Sequence, residues 1–156
     1  MAAVATYRFG RWVREQPKPI AKVGGKVYGA ALLAAEVVSG VFLDRDTEIG
    51  EDFHLVHAGG INIHPDVVIG DRVGLMHGVT LGTGPDGGAP VIGDDVFIGA
   101  NATVLGAVTI GAGARVAANS LVIRDVPEGA LAIGVPAKNL PQLQTRLRSP
   151  KKAAGG

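Results

Sequence analysis

From residue 92 onward an aliphatic side chain recurs every six residues without exception: Ile92, Ile98, Val104, Ile110, Val116 and Val122. Two positions before each of the last five stands a small or β-branched residue: Val96, Ala102, Val108, Ala114 and Ser120. Gly93, Gly99 and Gly111 directly follow three of the aliphatic residues. Neither the 3.6-residue period of a helix nor the two-residue alternation of an ordinary strand requires such a beat. It gives each short strand two inward positions and then a turn. Three such strands close a triangular coil of about 18 residues, each coil laid on the previous one by parallel ladders ~4.8 Å apart. A glycine after the inward residue suits a tight corner or a close backbone approach, where a Cβ costs energy.

Read backwards, the beat continues through Leu81, Leu75, Ile69 and Ile63, then through Leu55, Ile49 and Leu43. It slips twice. Two extra residues lie beside His57 and Gly59-Gly60, and a loop over 82–90 separates Leu81 from Ile92. Breaks in an otherwise regular scaffold are where local chemistry is sought. After Val122 a cap is expected through Val126, Pro127 and the segment 130–138, because a bare end would expose unpaired strand edges. The expected organisation is a helical region over 1–40, a β-helix with its cap over 41–140, and a tail over 141–156 with one short helix before Pro150. In the first region Tyr7, Trp12 and Val13 supply the apolar face of one helix, and Tyr28, Leu32, Leu33 and Val37 that of a second. Interruptions are expected at Gln16-Pro17-Lys18-Pro19 and at Gly24-Gly25.

With 156 residues the chain accommodates one principal domain. Fifteen Lys and Arg against fourteen Asp and Glu supply no global field for nucleic acid, so an anionic partner is recognised locally. Absence of cysteine excludes a disulfide scaffold and a covalent cysteine mechanism, and fits a cytoplasmic protein. No secretory signal is evident, and the apolar run 30–38 falls far short of the ~20 residues that span a bilayer. Lys18, Lys22 and Lys26, four residues apart, form a stripe read as a solvated face, with a membrane-surface role as the alternative.

The hexapeptide array resembles the left-handed β-helix acyltransferases, and especially their serine O-acetyltransferase-like branch. The resemblance is carried by that array together with His57-Ala58-Gly59-Gly60-Ile61, Gly78-Val79-Thr80-Leu81-Gly82, Gly88-Ala89-Pro90-Val91-Ile92-Gly93, Asp125-Val126-Pro127 and Gly134-Val135-Pro136-Ala137-Lys138. It implies a mainly β fold, a left-handed parallel β-helix with a short helical N-terminal region and a C-terminal cap. The implied protein is a homotrimer with acetyl-CoA, the acyl donor, bound between neighbouring prisms, and a small-molecule alcohol as acceptor. Serine is the narrow choice of acceptor, with an alcohol of a sugar or specialised metabolite as the alternative. A non-catalytic trimeric scaffold is the reading from a different class.

Of the four histidines, His57 lies two residues after inward Leu55 and His77 two residues after inward Leu75, one coil later. Both are therefore expected at one corner on successive rungs. The resemblance assigns the general base to His57, and His77 falls where the family commonly has glutamine, as an orienting residue. A neutral imidazole takes the hydroxyl proton and returns it to the departing thiolate, so no enzyme nucleophile is needed. A backbone N–H near Gly78 or Gly82 is the candidate oxyanion donor.

Departures from the family pattern are also visible. The acid that orients the base falls at Phe42, the acid that precedes the base is Val56, and the basic element before Pro90 is Gly88-Ala89. Asp44, with Asp46 as second choice, is the candidate to replace the missing partner of His57. Ala100 and Ala118 continue the histidine phase and, with Gly82 and Thr83, line the expected cofactor path. Arg115, Arg124 and Lys138 are the candidate phosphate contacts. No histidine or carboxylate spacing calls for a metal, and none is expected.

Overall fold

The computed structural model describes residues 2–57, 59–85 and 87–141. Among the described residues two helices, α1 (Ala2–Arg14) and α2 (Lys18–Ser39), precede fifteen short strands. The strands wind through three faces. Face one stacks β1 (Val41–Leu43), β4 (Ile61–Ile63), β7 (Thr80–Gly82), β10 (Thr103–Leu105) and β13 (Leu121–Val122). Face two stacks β2 (Glu48–Ile49), β5 (Val68–Ile69), β8 (Val91–Ile92) and β11 (Thr109–Ile110). Face three stacks β3 (His54–Leu55), β6 (Gly74–Leu75), β9 (Phe97–Ile98), β12 (Arg115–Val116), β14 (Leu131–Gly134) and β15 (Ala137–Leu140). All ladders are parallel except the last, where β14 and β15 pair antiparallel and close the far end as a hairpin.

This is the expected parallel β-helix. Both columns of the six-residue beat point inward, and Ile92, Ile98, Val104, Ile110, Val116 and Val122 are buried, as are Val96, Ala102, Val108, Ala114 and Ser120. Regular coils are eighteen residues long, as in Asn62↔Thr80 and Thr103↔Leu121. The coil containing His57 is twenty, Val41↔Ile61, and the one containing the 82–90 loop is twenty-three, Thr80↔Thr103. Gly93 and Gly99 answer to close approach rather than to positive φ. An added Cβ would sit 2.8 Å from Ala112 N and 2.6 Å from Ala118 N of the next coil. Left-handed corners fall instead on Asp52, Arg72, Asp95, Asn101 and Asn119 (φ 53 to 58°) and on several glycines.

The open lower end is covered by α1. Ala3 and Tyr7 join the core, and the Tyr7 hydroxyl donates to the Thr47 carbonyl at 2.8 Å. Ile49 and Leu55 of the first coil remain only partly buried, whereas Val41 and Leu43 of the same coil are enclosed.

Two expectations for the helices are corrected. Gly24-Gly25 does not interrupt α2, which runs unbroken over Lys18–Ser39. Its glycine instead admits α1, since a Cβ on Gly24 would meet Val13 Cγ1 at 3.0 Å; reciprocally, one on Gly10 would strike the Tyr28 ring. The buried residues of α2 are Tyr28 and Ala35, with Leu32 half-buried, whereas Leu33 and Val37 are 63% and 78% exposed. Trp12 of α1 also faces outward and stacks on Phe9. The break at Pro17 is real, with the proline directly before α2 and Gly40 ending it in the left-handed conformation. The short helix expected before Pro150 lies outside the described residues.

Candidate active site

The corner between face three and face one gathers two of the four histidines, His57 and His77. Leu55 pairs with Leu75, Leu75 with Ile98 and Ile98 with Val116, so the residues two further on, His57, His77, Ala100 and Ala118, leave the sheet at one edge on successive rungs. The His57 and His77 rings stand 6.2 Å apart between centroids, tilted by 56°. Both are exposed, and among the described residues neither imidazole makes a hydrogen bond that would occupy its nitrogens.

The backbone beneath them is stitched rung to rung. Gly78 N–H donates to the Gly59 carbonyl (2.8 Å), Asn101 N–H to that of His77 (2.9 Å), and Asn119 N–H to that of Ala100 (2.9 Å). Gly78 is needed twice at this corner: its φ is +71°, and a Cβ would fall on the Asn101 side-chain oxygen. Its N–H, proposed from sequence as an oxyanion donor, is already spent on the Gly59 carbonyl. That nitrogen is therefore not free to serve as the oxyanion donor, and the Gly82 neighbourhood is the part of the expectation that this bond leaves standing.

The other two histidines serve turns. His54 Nδ1 lies 3.0 Å from the Asp52 carbonyl, and His64 Nδ1 accepts the Asp66 N–H at 3.2 Å with the Asp66 carboxylate 3.8 Å away. The suggested acids are likewise engaged elsewhere. Asp44 Oδ1 accepts the Asp46 N–H at 2.8 Å, and Asp46 pairs with Arg14 at 2.7 Å. Strand β1 leads away from the histidine corner and ends just before Asp44, so the structure does not bring Asp44 to His57. Asp44 instead contributes, after burial, to raising the pKa of the Tyr28 hydroxyl.

Beside the corner runs a row of which only Phe42 was considered from sequence. Phe42, Asn62, Thr80, Thr103 and Leu121 are in register on the outer surface of face one. The signal was available, since each directly precedes an inward aliphatic residue. Phe42 and Val56 are 50% and 42% exposed, so both present apolar surface to solvent.

The remaining candidates are not all gathered at this corner. Arg115 lies on face three with its guanidinium 5.7 Å from the centre of the Phe97 ring. Lys138 pairs with Ile133 across the terminal hairpin, beside Gly134, the next residue in the corner column. Gly82 and Thr83 lie at the opposite end of face one, and exposed Arg124 follows β13 at that same end. An open cleft lined by Arg11, Arg14, Asp46 and Glu48 lies beneath α1, apart from the histidines. Among the described residues no group of three or more His, Asp or Glu is arranged to hold a metal.

Fold and repeat define the class: a hexapeptide-repeat β-helix. The family model described as bacterial transferase hexapeptide (six repeats) matches residues 89–124. Within that class the chain is similar to serine acetyltransferases. It is 46% identical over 121 residues to serine acetyltransferase 4 of Arabidopsis thaliana, covering 75% of this chain and 34% of that protein. A soybean serine acetyltransferase complexed with serine superposes with a TM-score of 0.75 and 34% identity, over 88% of this chain and 56% of that one. A serine acetyltransferase in complex with CoA gives 0.76 and 32%, over 88% and 55%. The chain thus spans about a third of the Arabidopsis relative and about half of the other two. Superposition at this level requires coils of the same hand in the compared structures.

Proposed function

We propose that this chain is an acetyl-CoA-dependent O-acetyltransferase acting on serine by direct transfer, with His57 as general base. The observation that carries the reading is the corner at which two exposed imidazoles, 6.2 Å apart, head a column continued by small side chains at Ala100 and Ala118. The similar structures in complex with CoA and with serine support the two substrates. His57 takes the hydroxyl proton as the acceptor oxygen attacks the thioester carbonyl. The tetrahedral intermediate collapses with C–S cleavage, and the same imidazole returns the proton to the thiolate of CoA. His77 orients the acceptor or His57, in place of the carboxylate that Asp44 does not supply.

Ala100 and Ala118 leave room for the pantetheine arm along the corner, while Gly82 and Thr83, at the opposite edge of face one, border it only from a neighbouring prism. Arg115 and Lys138 receive the phosphates, and Arg124, at the opposite end of face one, reaches them only from a neighbouring prism. The groove is closed by neighbouring prisms in a homotrimer, and the protein acts in the cytoplasm.

The test is acetyl-CoA turnover with serine, read as the mass of O-acetylserine and as thiol release corrected for hydrolysis. His57→Ala is expected to lower turnover by ~100 to 10,000-fold while sedimentation still reports a trimer. Unchanged turnover in an assembled variant removes His57 from the mechanism. A trimer with no turnover on any alcohol points to the scaffold reading. Phe42 and Val56 favour a second acceptor class, because neither pairs with an ammonium group. An assay panel with sugars and amino sugars beside serine and homoserine distinguishes the two.

A further inference from the structure

The outer surface of α2 is divided lengthwise. Ile20, Val23, Val27, Ala30, Ala34 and Val37 alternate at spacings of three and four residues, which keeps them on one side of a helix, and all six are exposed. Alongside runs the row Lys18, Lys22 and Lys26, also exposed. The only carboxylate on this helix is the half-buried Glu36. The opposite side, with Gly24, Tyr28 and Ala35, is the one packed against the rest of the protein. Charge is sorted on a larger scale too. Residues 2–39 carry Arg8, Arg11, Arg14 and the three lysines against Glu15 and Glu36, whereas residues 40–141 carry five cations against twelve carboxylates.

From this we propose that α2 is a docking surface for an anionic lipid bilayer, lying in the interface with its aliphatic row in the acyl boundary and its lysines among the headgroups. A helix with apolar and basic strips side by side fits that boundary, where apolar burial and attraction to anionic lipid add. No helix among the described residues is long and apolar enough to cross a membrane, so α2 lies on the surface rather than spanning it. Lysine stems extend along apolar surface while their ammonium groups reach phosphate. The acidic β-helix is repelled by the same surface, which orients the molecule with its helices toward the lipid.

A second copy of α2 is the competing occupant, since alternating spacings of three and four also describe a helix–helix seam. Charge disfavours it. Paired copies bring rows of lysines into one assembly, with only Glu36, half-buried at the far end of each helix, to oppose them. This inference does not depend on the acetyltransferase reading.

The test is cosedimentation of the full chain with phosphatidylcholine vesicles, with and without phosphatidylglycerol, alongside a Val23→Gln/Val27→Gln variant and a Lys18→Gln/Lys22→Gln/Lys26→Gln variant. Both valines are more than half exposed, so the fold is retained. The expected result is binding only to the anionic vesicles, weakened by salt. Affinity is expected to fall on the order of 100-fold in the lysine variant, from about fivefold per lysine, and to be largely lost in the valine variant. Equal binding to neutral vesicles, or anionic binding that both variants retain, overturns the proposal. So does a result in which no variant touches lipid but the valine changes lower the sedimenting mass, which assigns the face to a second copy.

Discussion

The upper coils of the β-helix and the helical pair at its base bury their apolar residues by different rules. Between Val91 and Val122 each inward side chain has an equivalent neighbour one rung away, so Ile92, Ile98 and Val104 are shielded by members of their own column. In α2 the buried side is whatever α1 and the first coil cover. There the interior holds Tyr28, Ala35 and a glycine in close contact, while larger aliphatic residues look outward. A repeat supplies its own environment, whereas a single helix takes its environment from its neighbours.

Truncation is expected to separate the two regions most widely. Ile98→Ala leaves a cavity in a fully enclosed column and is expected to cost about 2–5 kcal/mol. Leu33→Ala, on an exposed side, is expected to stay within about 0.5 kcal/mol of the parent. Urea unfolding followed by circular dichroism checks both, and equal losses would break the contrast.

Glycine replacement sharpens it by changing sign. Gly99→Ala forces a Cβ to 2.6 Å from Ala118 N, an overpacking expected to cost about 1–3 kcal/mol. Gly25→Ala meets nothing within 4 Å in the middle of α2, and is expected to gain about 0.5–1 kcal/mol in helix propensity. Melting temperatures that move in the same direction would place α2 under the same close-approach constraint as the coils.

The smallest effect concerns the surface of the coils. Arg72 donates from Nε and a terminal nitrogen to the two oxygens of Asp95, at 2.7 and 2.8 Å, and holds that carboxyl below its usual range. A depressed folded pKa stabilises above the unfolded carboxyl value, and its contribution fades as pH falls through the folded one. Arg72→Gln is therefore expected to return the Asp95 titration toward the ordinary range and to remove this part of the acid dependence. A carboxyl-resolved NMR titration measures it; an unmoved Asp95 midpoint would show that the guanidinium is not the cause.

The coil was legible because one period governs both columns from Val96 to Val122, and the corner was legible because His57 and His77 share an offset from inward residues that stack. Spacing carries such information because parallel rungs convert equal offsets into adjacency. It carries no account of what a turn does with its own polar atoms. Asp44 faces its own turn, accepting the Asp46 N–H, and the Gly78 N–H is consumed by the rung below; both involve local hydrogen bonds that residue type alone does not reveal. Gly24-Gly25 looked like a break because glycine weakens helices, yet the packing of Val13 against Gly24 outweighs that propensity.

Every strand pair whose connecting path passes the 82–90 segment is offset by twenty-three residues, whichever face it lies on: Val68↔Val91, Gly74↔Phe97 and Thr80↔Thr103. The pairs beyond it, Val91↔Thr109 and Phe97↔Arg115, return to eighteen. Material added at one vertex is absorbed as a constant shift in numbering and leaves the stacking above and below untouched. The scaffold can therefore vary at its vertices as a spiral staircase can take a balcony at any landing: selectivity can be rebuilt by lengthening a single segment, with no compensating change in the interior.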